Sequence, residues 1–119
     1  MRDYKKLEVW KKAHETYMFI KREIVLKFPK EEKFELIAQL NRDALSIPLN
    51  IVEGAGRETD KDFAHFLDTE LGSVNETEYR CFAAHELKYV ADENYNKINK
   101  LLNETRAMLI SFLKFLRKK

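Results

Sequence analysis

Apolar residues along this chain recur at steps of three and four, the repeat of a helix face, and not at the step of two that marks a strand. Val9, Ala13, Tyr17, Ile20 and Ile24 form the first series, with Trp10 beside Ala13, and predict a helix over about 7–27. It should stop at Phe28-Pro29, because a residue before proline is pushed out of the helical region. Ile37, Leu40, Ala44, Ile47 and Ile51 predict a second helix over about 31–54, with Glu31 and Glu32 where the helix dipole favours acids. Gly54-Ala55-Gly56 should end it through a left-handed glycine cap. Thr59 and Asp62 approximate a capping box opening a third helix, about 60–89, that carries Phe63, Leu67, Leu71, Val74, Cys81 and Tyr89. Asp92 is the expected N-cap of a fourth, about 93–117, where Tyr95, Ile98, Leu102, Thr105, Leu109, Phe112 and Leu116 step without a break beside Leu101, Met108 and Phe115.

Short connections force neighbouring helices to run antiparallel, so the expected fold is all-α. It is one domain over residues 1–119, an antiparallel up-down-up-down four-helix bundle with helices crossing at about 20°. Pro48 falls inside the second helix and removes an N–H from its ladder, which predicts a kink or bulge over 44–48. Ser46 and Asn50 stand close enough to serve the freed carbonyls.

Two further rows lie on the second helix outside its core stripe. Ala38, Leu45, Leu49 and Val52 make a second apolar strip, which predicts burial against another copy of the chain; a core face wide enough to reach the first or third helix is the alternative. Opposite the core, Gln39, Arg42, Ser46, Asn50, Glu53 and Arg57 form a polar row without lysine. Such planar and short hydrogen-bonding groups suit a fixed network or a lined channel as well as a wetted face.

Charge alters this picture only through its distribution. The net charge is +2, yet residues 1–30 hold nine Lys/Arg against four Asp/Glu, and residues 94–119 seven against one, while residues 58–93 hold three against ten. Helices one and four are adjacent in the predicted bundle, so their cations share one side. Lys5, Lys6, Lys11, Lys12, Lys114, Arg117, Lys118 and Lys119, with Arg42 and Arg57, are therefore candidate phosphate contacts for RNA or DNA. The acidic third helix supports an alternative, a protein-protein adaptor in which charge sets register and no nucleic acid is involved.

Chemistry of other kinds finds little support. A di-iron bundle needs Glu-x-x-His twice, and the nearest match is a single Asp62-x-x-His65. His85 and Glu78 share the apolar face of the third helix and could meet as a buried pair, whereas His14 falls on the surface. Gly54-Ala55-Gly56 lacks the strand and the Gly-Lys-Ser/Thr ending of a phosphate loop. The expectation is a non-enzyme without cofactor. One cysteine, Cys81, and the lack of any long apolar run point to the cytoplasm, with no membrane span.

Gln39-Leu40-Asn41-Arg42, then Ser46-Ile47-Pro48-Leu49-Asn50-Ile51-Val52-Glu53-Gly54 and Arg57, resemble the signature of the bacterial four-helix bundle proteins encoded in intervening sequences of 23S rRNA genes. Residues 7–13, 28–32 and 72–78 support the resemblance, which runs over about residues 4–90. It implies kinship with the accessory variability determinant of diversity-generating retroelements, and so a homo-oligomer, a pentamer, with RNA, DNA, a reverse transcriptase or another protein as partner. The chain departs from the family pattern at Asn41 and Asp43, both of which lower the positive charge along the second helix.

Overall fold

Helices form where the apolar repeat places them, and they end where the chain loses it. The computed structural model describes Arg2–Lys118, the side chain of Lys33 apart. A 3-10 turn at Tyr4–Lys6 is capped by Asp3, whose carboxylate accepts the Lys5 N–H at 3.1 Å. Helix α1 is Glu8–Phe19; the helical path continues through a π turn at Ile20–Ile24 and a 3-10 turn at Val25–Lys27. Phe28 is extended (φ −75°, ψ 148°), as a residue before proline must be. After Lys30–Glu32 (3-10) and Lys33–Ile37 (π) come α2, Ala38–Ala55, then α3, Asp60–Glu86, and α4, Asp92–Arg117.

The connections 56–59 and 87–91 are too short for anything but antiparallel packing. Helix α1 packs on α2 and α4, and α3 packs on α2 and α4, closing an up-down-up-down square 46 Å long. The predicted core is largely the observed one: Val9, Ala13, Ile20, Ile24, Leu40, Ala44, Ile47, Ile51, Phe63, Leu67, Val74, Cys81, Ile98, Leu102, Leu109 and Leu116 are all buried. Ile37, Tyr17, Leu71, Tyr89, Tyr95 and Phe112 sit half-buried at its edge. Tyr89 lies beyond α3, where its ring meets Phe28 at 5.7 Å and its hydroxyl donates to Glu32 at 2.8 Å, closing that end of the bundle. That bond to a carboxylate holds the phenol pKa above its ordinary value.

Three local expectations are corrected. No bulge interrupts α2 at 44–48, where it is α-helical through Pro48, and the irregular turns fall instead at 20–24 and 33–37, on either side of Pro29. Around Pro48, Ser46 Oγ donates to the Asp43 carbonyl at 2.9 Å and Asn50 to the Ser46 carbonyl at 2.8 Å, so neither serves the Ala44 carbonyl that the proline frees. No described glycine has positive φ; the left-handed residue is Lys88 (φ 66°), just past α3. Gly54 serves close approach instead, since a Cβ there would stand 2.6 Å from Phe63 Cδ1. Asp92 opens α4 as its first helical residue, while the N-cap is Ala91, with no side-chain bond. Thr59 does cap α3, accepting the Asp62 N–H at 3.1 Å.

Four polar residues share the core. Thr16 and Thr105 place their hydroxyl oxygens 3.0 Å apart across α1 and α4, and the one that accepts can donate to a carbonyl of its own helix. Thr77 and Glu70, on the inner face of α3, have no such relief. Neither carboxyl oxygen of Glu70 meets a hydrogen-bond partner among the described residues. Burial therefore pushes its pKa well above the ordinary carboxylate range.

An acid whose pKa is higher folded than unfolded lowers stability as pH rises. Below about pH 4.3 both states hold the proton; above it only the unfolded chain ionises freely, at up to 1.4 kcal/mol per pH unit until the folded pKa is reached. Replacing Glu70 by Gln should flatten that decline, and by Leu should add about 1–3 kcal/mol at pH 7, with the gain shrinking towards pH 4. Urea unfolding followed from pH 4 to 8 measures both; parallel curves for the wild type and the Gln variant would show that Glu70 does not titrate this way.

Candidate functional site

The antiparallel pairing of α1 and α4 brings the two ends of the chain together. Leu7 and Val9 lie against Met108, Phe112 and Phe115, lining a cleft of about 310 Å³. Lys5 and Lys6, on the turn before α1 that packs on α2, therefore stand at the same end of the bundle as Lys114 in the last turn of α4 and Lys118 just past it. All four are exposed, and none has an ion pair with another described residue.

The other candidate cations are engaged or elsewhere. Lys11 pairs with Glu8 at 2.9 Å, one helical turn away. Lys12 lies between Glu15 at 3.1 Å and Glu104 at 3.3 Å, and its bond to Glu15 chiefly raises its pKa. Arg117 meets Asp68 at 2.5 Å, and that bond raises its pKa as well. Arg57, on the turn after α2, lies 4.7 Å over the Phe66 ring, while Arg42 is exposed along α2. Lys119 lies outside the described residues. Lys61 was missed: it is exposed in the first turn of α3 and lines a cleft with Leu116 and Arg117 at the same end. Its place in the acidic stretch of sequence hid it, and only the antiparallel pairing of α3 with α4 reveals it.

The polar row on α2 divides in two. Gln39 and Ser46 belong to a network between α2 and α3, in which Arg80 donates to Asp43 and to Gln39, both at 2.6 Å, and Ser46 Oγ lies 2.5 Å from Ser73 Oγ, while Asn50 donates to the Ser46 carbonyl of its own helix. Arg42, Glu53 and Arg57 face outward. The two departures at Asn41 and Asp43 have partners of their own, Lys21 Nζ at 3.0 Å and Arg80. On the Asn41 side of the same helix runs the apolar strip, in which Leu45 and Leu49 are 44% and 41% exposed while Ala38 and Val52 are half-buried.

The expected meeting of His85 with Glu78 does not occur. Glu78 pairs with Arg106 at 3.1 Å across α3 and α4. His85 stacks on Tyr95 at 4.1 Å and bonds Asp92 at 2.6 Å, because both partners come from the start of α4, one turn beyond the end of α3. His14 is exposed, stacked on Trp10. Burial, with Glu78 nearby, pushes the Cys81 thiol up to about 12, so it stays neutral. Among the described residues no three His, Cys, Asp or Glu side chains converge as metal ligands, and no helix is long and apolar enough to cross a membrane.

These features define an all-α protein, a four-helix bundle with charged and aromatic groups exposed along its surface. The chain belongs to the 23S rRNA-intervening sequence protein family, which it matches over residues 5–111. A crystal structure of a protein of unknown function from the S23 ribosomal protein family of Bacteroides thetaiotaomicron VPI-5482 is similar to it, at 31% identity and a TM-score of 0.80, covering 89% of this chain and 95% of that one. No curated protein matches the chain.

The Arg80 network joins two helices through one guanidinium with two acceptors, so its loss should be felt as stability. Asp43→Ala should cost about 1–2 kcal/mol, and Arg80→Lys should fail to restore the wild-type value, because an ammonium cannot reach both acceptors with planar geometry. Thermal melts of the two variants and the wild type check this; a wild-type midpoint for Arg80→Lys would show the bond to Gln39 to be dispensable.

Proposed function

We propose that this protein is a non-catalytic, self-associating bundle that holds RNA, or another nucleic acid, against the lysines at the end where α1 begins and α4 finishes. What supports the reading is that Lys5, Lys6, Lys114 and Lys118, drawn from opposite ends of the sequence, stand exposed at one end of the bundle with no ion pair to another described residue. Phosphate binding depends on cations that are not already neutralised, and Lys11, Lys12 and Arg117 are. Lys61 and Arg57 stand at the same end and extend the surface. The family's name associates its members with the intervening sequence of 23S rRNA, which favours RNA.

Self-association rests on Leu45 and Leu49, two large apolar side chains exposed one turn apart on a helix that already buries its core face. Joining copies through this strip would multiply a four-lysine patch into an array, and a ring of five is the form the family resemblance implies. Sedimentation should then give a mass several times 14.2 kDa, and Leu45→Asp with Leu49→Asp should reduce it to that of one chain. A wild type that stays monomeric at micromolar concentration would remove this part of the proposal.

A single-stranded RNA of ~30 nucleotides should shift in a gel at about 50 mM salt, with log K falling against log salt at a slope of roughly −3 per copy for four lysine contacts. Changing Lys5, Lys6, Lys114 and Lys118 together to Ala should lower affinity at least tenfold and flatten that slope, since about 0.7 of slope is lost with each contact. The absence of any shift at low salt, or an unchanged shift in the variant, would refute nucleic-acid binding at this end.

A further inference from the structure

We infer that the groove between the second half of α3 and the first half of α4 is a receptor for arginine side chains of a basic partner protein. Glu78, Tyr79, Phe82, Tyr95, Asn99 and Asn103 line a cleft of about 330 Å³, a size suited to one or two long side chains. Tyr79 and Phe82 are 68% and 44% exposed, with ring centroids 6.4 Å apart, so the groove carries two accessible aromatic rings side by side. Tyr95 is fixed at the floor by its stack on His85.

The molecule itself shows what such rings accept. At the opposite end of α3, Phe63 lies 4.9 Å beneath the Arg2 guanidinium, which also bonds Asp60, and Phe66 lies 4.7 Å beneath Arg57. Aromatic faces there are thus filled by arginines of the same chain, with a carboxylate beside the ring in the case of Arg2. The Tyr79–Phe82 pair offers the same combination, and among the described residues no cation lies over either ring.

Charge around the groove selects the same occupant. Glu76 and Glu86 are exposed within one helical turn of Tyr79 and Phe82, and neither has an ion pair with a described residue. Glu78 is shared with Arg106, and the Asp92 side chain, 92% exposed, bonds His85. Phosphate would be repelled here, whereas a guanidinium gains both ring and carboxylate. The partner is therefore a protein segment bearing arginine, and arginine should outrank lysine because its planar head stacks while donating in plane.

The test uses the full chain and a fluorescein-labelled peptide of about 12 alternating Arg and Ser residues, roughly 40 Å when extended, with a Lys-for-Arg peptide beside it. Anisotropy at low salt should show saturable binding of the Arg peptide, at least about threefold tighter than the Lys peptide. Tyr79→Ser with Phe82→Ser should weaken it about tenfold, and Tyr79→Ser alone by less. Glu76→Gln with Glu86→Gln should weaken it several-fold, whereas Glu58→Gln with Asp62→Asn, at the far end of α3, should leave it within about twofold. All these residues are exposed, and melting curves confirm that each variant folds. No binding by the wild type, equal loss from the distant pair, or indifference to Tyr79 and Phe82 would overturn the inference. Self-association that disappears in the Tyr79/Phe82 variant without any peptide binding would also overturn it, by placing a second copy in the groove. RNA binding should be unchanged in that variant, so this inference and the lysine reading can fail separately.

Discussion

Everything on the surface of this bundle follows from the shortness of two connections, 56–59 and 87–91. Four or five residues cannot carry the chain back along a helix of 26 or 27, so α3 must descend beside α2 and α4 must climb beside α3. Burial of the four apolar stripes then closes α4 onto α1, since each stripe needs three neighbours to leave water. Two segments more than a hundred positions apart in sequence, around Val9 and Phe112, become neighbours without any direct specification. The same closure sets the acids of α3 opposite α4, where Asp68 takes Arg117 and Glu78 takes Arg106.

Helix positions and most of the core were legible because the three-and-four repeat is strong and only Pro29, the 54–56 glycines and the stretch near residue 90 interrupt it. Less legible was anything that depends on what stands across from a residue. Glu70 falls in the core register between Leu67 and Val74, so spacing alone marked it as buried; it went unnoticed because acids are rarely buried without a partner. The predicted pairing of His85 with Glu78 treated residues seven apart on one helix as each other's natural company. The structure gives each a partner on α4, because adjacent helices approach closer than two helical turns separate. The cap at Gly54 failed for a related reason: glycine signals either positive φ or close approach, and only the position of Phe63 decides between them.

The polar residues of the core show the two possible outcomes of placing such groups among Leu and Ile. Thr16 and Thr105 satisfy one another across two helices, and that bond favours the register in which α1 and α4 pack. Glu70 has no counterpart and opposes folding in its charged form, so the bundle tolerates it chiefly as the neutral acid. A sequence selected only for stability would place leucine there. The position is thus a local conflict inside an otherwise consistent helix, of the kind that sets a pH limit on the fold without altering its topology.

Opposite charges on so small a body would ordinarily cancel, and a net charge of +2 suggests that they do. Geometry prevents it. Along α4, the groove at Asn99 and the lysine at 114 are separated by about 22 Å at 1.5 Å per residue, more than twice the distance over which physiological salt lets surface charges act on one another. Phosphates gathered at the lysine end would therefore scarcely feel Glu76 and Glu86, and a basic segment at the groove would scarcely feel Lys114 and Lys118. Neutralisation happens only where carboxylate and cation lie within contact, as at Lys12 and Arg117, and those pairs lie between and beside the two regions. One short bundle can thus present two surfaces of opposite sign to two different partners, and the separation that allows it is set by helix length.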